Sequence, residues 1–269
     1  MITGLTWSFT MRSERYFSTN EFFADQRRRN RRKRHPHPGR TLKEHGKVYV
    51  CAPEKQQSGK SHSITLEGPF YIREVDFPGA EKAYVTSGTP SDCTRIGVQF
   101  LREMGIEPDI VYSGINLGCN LGADTLYSGT VGAAMEAALM GCHGISVSVN
   151  GHHATHFDAA CRLAVQAIDH VVHELPTNIV LNINTPDLPA EEIRGVVTAR
   201  LGESFYRDHF ELVQGEEYKL VGLERDQTHL GEDIDVNLNR QHYATVTPLL
   251  CDFTEHRLLS LVREWGFRL

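Results

Sequence analysis

Ser113-Gly114-Ile115-Asn116-Leu117-Gly118-Cys119-Asn120-Leu121-Gly122-Ala123-Asp124, with Ser128-Gly129-Thr130 shortly after it, decides how this chain reads. The apolar run Ile110-Val111-Tyr112 leads into the stretch, and a small-residue run from Val131 to Leu139 leaves it. A buried strand therefore ends in a Gly/Asn-rich loop, and a helix begins at Ser128-Gly129-Thr130. The first N–H groups of a helix lack partners and lie at the positive end of the helix dipole, so they suit a phosphate. Asn and Asp side chains on the same loop suit a hard cation. Together these features point to phosphoester chemistry. The competing reading is a plain turn, since Gly and Asn serve turns for backbone reasons alone. The spacing matches neither G-x-G-x-x-G nor a P-loop.

Outward from this loop the chain alternates strands and helices. Val48-Tyr49-Val50-Cys51-Ala52 reads as a buried strand stopped by Pro53. Ile64-Thr65-Leu66, Phe70-Tyr71-Ile72 and Ala83-Tyr84-Val85 read as short strands between turns. Thr89-Pro90-Ser91-Asp92 starts a helix that runs to about Met104, with Thr89 as cap and Pro90 in the first turn. Gly144 to Val149 and Ile179 to Asn184 are further strands, and Phe157 to Glu174 has helical spacing. Such alternation implies a mostly parallel sheet flanked by helices, with ligands beyond the strand carboxyl ends. After Thr198 the texture changes. Tyr206 to Leu223 and Tyr243-Ala244-Thr245-Val246-Thr247 read as long hairpin segments, and Phe253 to Trp265 as a closing helix. The hairpins form either a subunit-exchange arm or a plain surface feature.

Composition bounds the function. The chain has 269 residues, 40% hydrophobic and 23% charged, which suits one large α/β domain. No apolar run approaches the ~18 residues of a membrane helix, and no signal core opens the chain, so a cytoplasmic protein without a membrane partner is expected. Cys51, Cys93, Cys119, Cys142, Cys161 and Cys251 show no C-x-x-C spacing and read as core thiols, not a zinc or disulfide framework. The formal net charge of −6 argues against nucleic acid as a partner. Residues 1–40 differ: eight basic residues between Arg27 and Arg40 crowd a stretch without hydrophobic period. That composition reads as disordered, serving either as a basic arm or as a solvated tail. No aromatic residue lies between those basic residues to stack on bases.

Five blocks then resemble one family. Gln57-Ser58-Gly59-Lys60-Ser61-His62-Ser63-Ile64-Thr65, Gly88 to Cys93, Ser113 to Gly118, Asn120-Leu121-Gly122 and Tyr127-Ser128-Gly129-Thr130-Val131 are similar, in order and spacing, to the SurE survival proteins. The resemblance covers residues 41–269. It implies a Rossmann-like α/β fold with a C-terminal β-hairpin arm, about residues 199–250, that joins a homodimer or homotetramer. It also implies a phosphatase that uses a divalent cation, Mg²⁺ or Mn²⁺, to release phosphate from nucleoside 5′-monophosphates. The metal ligands fall on Ser58 and Asn116. The phosphate loop falls on Ser128, Gly129 and Thr130, with Asn120 beside it, and the acidic position facing the site falls on Asp124, the candidate base. Thr89, Asp92 and Asn120 serve equally well as caps and turn residues.

One departure is decisive. The family opens with a strand ending in Thr-Asn-Asp-Asp-Gly, whose two aspartates hold the metal, and this chain has no Asp-Asp pair. Asp25-Gln26-Arg27-Arg28-Arg29-Asn30 stands in its place, and arginines repel a divalent cation. A displaced reading frame would account for this: codon degeneracy permits GAC-CAA-CGA-CGA-CGG-AAT, one choice of codons for the observed residues, and reading that choice one base later gives Thr-Asn-Asp-Asp-Gly. Asn20-Glu21 can hide a start codon in the same frame, and Phe22-Phe23-Ala24 can then give the first strand. Ser58 and Asn116 alone are neutral ligands, so the chain is expected to be impaired. The rival of a different class is an inactive nucleotide-binding protein that keeps the phosphate loop.

Overall fold

A computed structural model describes Arg15–Thr19, Leu42 and residues 45–269. Its frame is a sheet built from β1 (Arg15–Thr19), β2 (Lys47–Pro53), β3 (Ile72–Glu74), β4 (Lys82–Thr86), β5 (Ile110–Leu117), β6 (His143–Asn150), β7 (Ile179–Pro186), β8 (Val196–Thr198) and β11 (Ala244–Leu250). The spatial order is β3-β4-β2-β1-β5-β6-β7-β11-β8. The six central strands, β4 to β7 in that order, run parallel. β3 and β11 each pair antiparallel with their parallel-sheet neighbours, β4 and β7. The chain winds outward in both directions from β1, so the strand order reverses between β1 and β5. In doubly wound sheets the crevice at that reversal, beyond the strand carboxyl ends, is where ligands bind.

Side-chain alternation explains how the sheet buries both faces. Val48, Val50, Ile110, Tyr112, Ile145, Val147 and Val149 point into one core, against α3 (Asp158–Glu174). Tyr49, Cys51 and Val111 point the other way, into a core shared with α1 (Pro90–Glu103) and α2 (Gly129–Leu139). A period of two places neighbours on opposite faces, and strands covered on both sides become continuous apolar runs. Cys51, Cys93, Cys142 and Cys161 lie inside these cores. All six cysteines are free thiols.

The helix starts follow their sequence signals. Thr89 Oγ1 accepts from the Asp92 N–H at 3.1 Å, and Asp92 Oδ2 accepts from the Thr89 N–H at 2.9 Å. This reciprocal capping box stabilises α1 by roughly 1 kcal/mol relative to an uncapped start. Ser128 caps α2 without a reciprocal partner, its Oγ accepting from Val131 N–H at 3.1 Å.

Several elements differ from the sequence reading. Arg15–Thr19 lies within the segment that composition assigns to disorder, yet it forms a strand between β2 and β5. For those five residues the disorder assignment is corrected: two neighbouring strands supply the pairing that so short a stretch does not signal by itself. The shifted-frame strand at Phe22-Phe23-Ala24 lies outside the described residues. Ile64-Thr65-Leu66 is not a strand. The Thr65 N–H goes to the Asp92 carboxylate at 3.0 Å, so its hydrogen bond is to a helix cap and not to a ladder. Phe70-Tyr71-Ile72 contributes only its last residue, to β3. Tyr206 to Leu223 is a hairpin as expected, β9 (Tyr206–Gln214) with β10 (Glu217–Glu224). Tyr243 to Thr247 is not part of that arm, because Ala244–Leu250 joins the main sheet beside β7. After α4 (Asp235–Arg240), the expected closing helix shrinks to α5 (Leu259–Glu264) behind a single tight turn at His256–Leu258.

Candidate active site

The site forms where β5 and α2 face the reversal point. β5 does not run straight to its end: pairing with β6 shifts register between Ser113 and Asn116, and the Gly114–Ile115 peptide is cis. This irregularity needs glycine at Gly114. Its φ is +135°, and a Cβ there would stand 2.1 Å from the Val147 carbonyl oxygen. Pairing resumes at Asn116, opposite Ser148, at the carboxyl end of β5. Its Nδ2 donates to the Gly118 carbonyl at 2.8 Å, so Oδ1 is the atom it can offer a cation.

The next residues are pinned from below. Asn120 N–H donates to Asn184 Oδ1 at 2.7 Å, and Asn120 Nδ2 donates to Ser148 Oγ at 2.7 Å. Asn182 and Asn184 both donate to the Asn120 carbonyl, and Ser146 donates to Asn182. Asn120 is therefore buried in a neutral polar network that fixes the loop. Thr89 and Asp92 are caps.

Asp124 lies on the short 3₁₀ turn Gly122–Tyr127 that joins the loop to α2. Burial pushes its carboxyl above the usual range, partly offset by the Phe205 N–H, which donates to Oδ2 at 2.8 Å. That bond ties the turn to the β8–β9 connection through Oδ2. Asp235 reinforces the same joint, accepting from the N–H groups of Gly122, Gly202 and Val236.

Ser128, Gly129 and Thr130 sit where expected, at the capped start of α2. Ser58 is exposed on the β2–β3 connection and accepts from Gln56 Nε2 at 2.8 Å. The connection lies against the helix start: the Gln57 carbonyl oxygen is 3.5 Å from where a Gly129 Cβ would stand, and Ser61 N–H donates to the Tyr127 carbonyl at 3.0 Å. The structure thus brings the Ser58 segment against the helix start at Ser128, Gly129 and Thr130. On the other flank the His152 ring lies against the Asn116–Gly118 turn, 3.4 Å from where a Gly118 Cβ would stand. Sequence reasoning did not single out His152, and its position in the polar run after β6 gives no signal of that contact. It also left Glu136 unremarked, although a lone carboxylate in the apolar run Val131 to Leu139 is a usable signal.

The donor set can be tested against the cation that the resemblance implies. Ser58 and Asn116 offer neutral oxygens, and among the described residues no group of three or more His, Cys, Asp or Glu side chains could hold a metal ion. Hard divalent cations take several oxygen ligands, carboxylates prominent among them. The described residues do not by themselves make that site.

Fold and site together define a doubly wound α/β protein with its crevice at the strand reversal and a capped helix start facing it. Comparison with known proteins agrees with this fold. The profile of the family described as survival protein SurE matches residues 39–208. The 5′-nucleotidase SurE of Aeromonas hydrophila is 38% identical over 227 residues, 82% of this chain and 88% of that protein. The 5′-nucleotidase SurE of Thermoanaerobacter sp. is 37% identical over 237 residues, 85% of this chain and 91% of that protein. The crystal structure of the SurE protein from Aquifex aeolicus superposes with a TM-score of 0.73 at 32% identity, covering 86% of this chain and 93% of that one. The chain belongs to the SurE family.

Proposed function

We propose that this protein binds nucleoside 5′-monophosphates and descends from enzymes that hydrolyse them, its own turnover being weak. The observation that carries the reading is the capped start of α2, with Ser128, Gly129 and Thr130 at the strand-reversal crevice beside the Ser58 segment. Unpaired N–H groups there would take the phosphate oxygens, and the helix dipole favours their charge. Relatives called 5′-nucleotidase SurE support the substrate class. Mg²⁺ or Mn²⁺, which the resemblance implies, would find Ser58 and Asn116 but no Asp-Asp pair in the sequence. That shortfall is what separates this chain from an active nucleotidase. It equally favours the second reading, a nucleotide-binding protein without catalysis. Titration with a nucleoside 5′-monophosphate in the presence of a chelator tests the phosphate loop. Saturable binding displaced by inorganic phosphate is expected, and absence of binding would contradict the reading.

The displaced frame remains our explanation for residues 25–30. The nucleotide sequence of the gene decides it: without an acidic pair in the shifted frame, it is wrong. The described strand β1 makes an independent demand, since any restored chain must refill that place between β2 and β5.

We propose in addition that the chain self-associates through its C-terminal region. A groove of about 540 Å³ is lined by Leu126, Met135, Leu201, Leu249, Leu250 and Phe253, among others. The tail beyond it exposes Leu258, Leu259, Leu261, Trp265 and Phe267, and the β9–β10 hairpin exposes Phe210, Leu212 and Leu220. So much exposed apolar surface usually marks an interface. Light scattering should give a multiple of the 30.3 kDa chain mass, and a monomer at micromolar concentration would refute the assignment. Among the described residues no helix is long and apolar enough to cross a membrane.

A further inference from the structure

Three residues on one face of α2 organise the Ser58 segment. Gly129, Gly132 and Glu136 are spaced three and four apart, so they line one stripe of the helix. At Gly132 a Cβ would stand 2.8 Å from both His62 Cα and the Ser61 carbonyl oxygen. The two glycines thus let the backbone of residues 57–62 lie directly on the helix. The stripe ends at Glu136, which is 2% exposed. Its Oε2 accepts from His62 Nε2–H at 2.8 Å, and its Oε1 accepts from Arg95 on α1 at 2.7 Å. A buried carboxylate is tolerated only when it is paired and hydrogen-bonded, and here each oxygen has its own donor. Arg95 joins Glu136 to α1, whereas His62 joins it to the long connection between β2 and β3. The functional reading assigns no role to this chain of contacts.

We propose that His62 is a positioning residue for the phosphate site. It does not touch substrate. Held by Glu136, it fixes residues 57–62 against α2 and so sets Ser58 beside Ser128-Gly129-Thr130. The contact to Ser61 at the Tyr127 carbonyl and that from Thr89 Oγ1 to the Ser63 carbonyl share the task, so the segment loosens without unfolding when His62 is lost. This inference rests on the phosphate reading above.

Two variants of the full chain test it. His62→Leu removes the donor at similar size, and His62→Gln places an amide N–H at the reach of Nε2. Amide hydrogen exchange at Ser58, Gly59, Lys60 and Ser61 reports the segment, and titration with inorganic phosphate reports the site. For His62→Leu, faster exchange at those amides and about tenfold weaker phosphate binding are expected, the size of one hydrogen bond to a charged partner. His62→Gln should recover both. Unchanged exchange in His62→Leu overturns the proposal, as does a His62→Gln protein that behaves like His62→Leu. Faster exchange with unaltered phosphate affinity overturns the positioning role. If the unsubstituted protein takes up no phosphate, the phosphate reading and the positioning role fall together, and the exchange data show separately whether the His62 contact exists.

Discussion

Gly114→Ala should leave little folded protein. The added Cβ would meet the Val147 carbonyl oxygen at 2.1 Å, and that oxygen is backbone of the neighbouring strand, which cannot turn aside. The φ of +135° is also one that an alanine rarely adopts. Strain of that backbone kind costs about 1–3 kcal/mol, and relieving the overlap means separating β5 from β6 at the centre of the sheet. A total beyond about 4 kcal/mol is expected, against a usual domain stability of roughly 5–15 kcal/mol. Urea unfolding followed by circular dichroism measures it. A variant with a wild-type midpoint would mean that the register shift between Ser113 and Asn116 is not as described.

The second large effect belongs to Asp235. Its side chain accepts from Gly122 at 2.8 Å, Gly202 at 2.9 Å and Val236 at 2.8 Å, and the residue is fully buried. Asp235→Ala strands three backbone N–H groups away from water. At about 1–3 kcal/mol for each orphaned donor, and with incomplete additivity, a loss of roughly 3–5 kcal/mol is expected. Asp235→Asn keeps one acceptor but turns an NH₂ toward a donor, so it should fall between. Burial pushes the Asp235 carboxyl above its usual range in spite of the three N–H groups. The folded protein therefore holds this proton more tightly than the unfolded chain. Its contribution to stability falls as pH rises from the ordinary carboxylate value through the raised one. That part of the slope should be missing from Asp235→Asn in urea midpoints measured across the window.

How far the sequence could be read follows from where each element gets its stability. The run from Ile110 to Leu139 was legible because strand, loop and helix each carry their own signal: apolar residues, Gly/Asn punctuation, a Ser cap. The start of α1 was legible for the same reason, since Thr89, Pro90 and Asp92 act locally. β1 was not. Arg15-Tyr16-Phe17-Ser18-Thr19 is short and lacks the apolar run of its neighbours, and it is β2 and β5 on either side that make it a central strand. Ile64-Thr65-Leu66 misled in the opposite sense, because the Asp92 carboxylate captures the Thr65 N–H. Tyr243 to Thr247 was recognisable as a strand, but its partner β7 lies far away in sequence. At the site, Ser128 to Thr130 could be placed from the helix start alone. Asp124 and Asn120 could not be assigned, since a polar residue on a loop has the same letters whether it faces a ligand or ties two segments together. Their partners, Phe205, Ser148 and Asn184, appear only in the fold.

The most direct measurement is phosphate release from a nucleoside 5′-monophosphate by the full chain, with and without added Mn²⁺. Release near background in both conditions, by a protein that binds the nucleotide, is the expected result. It would mean that the phosphate loop survives while the acidic ligands for a cation do not. Strong release that depends on Mn²⁺ would contradict this account, and would place an acidic ligand set in the residues that follow Thr19.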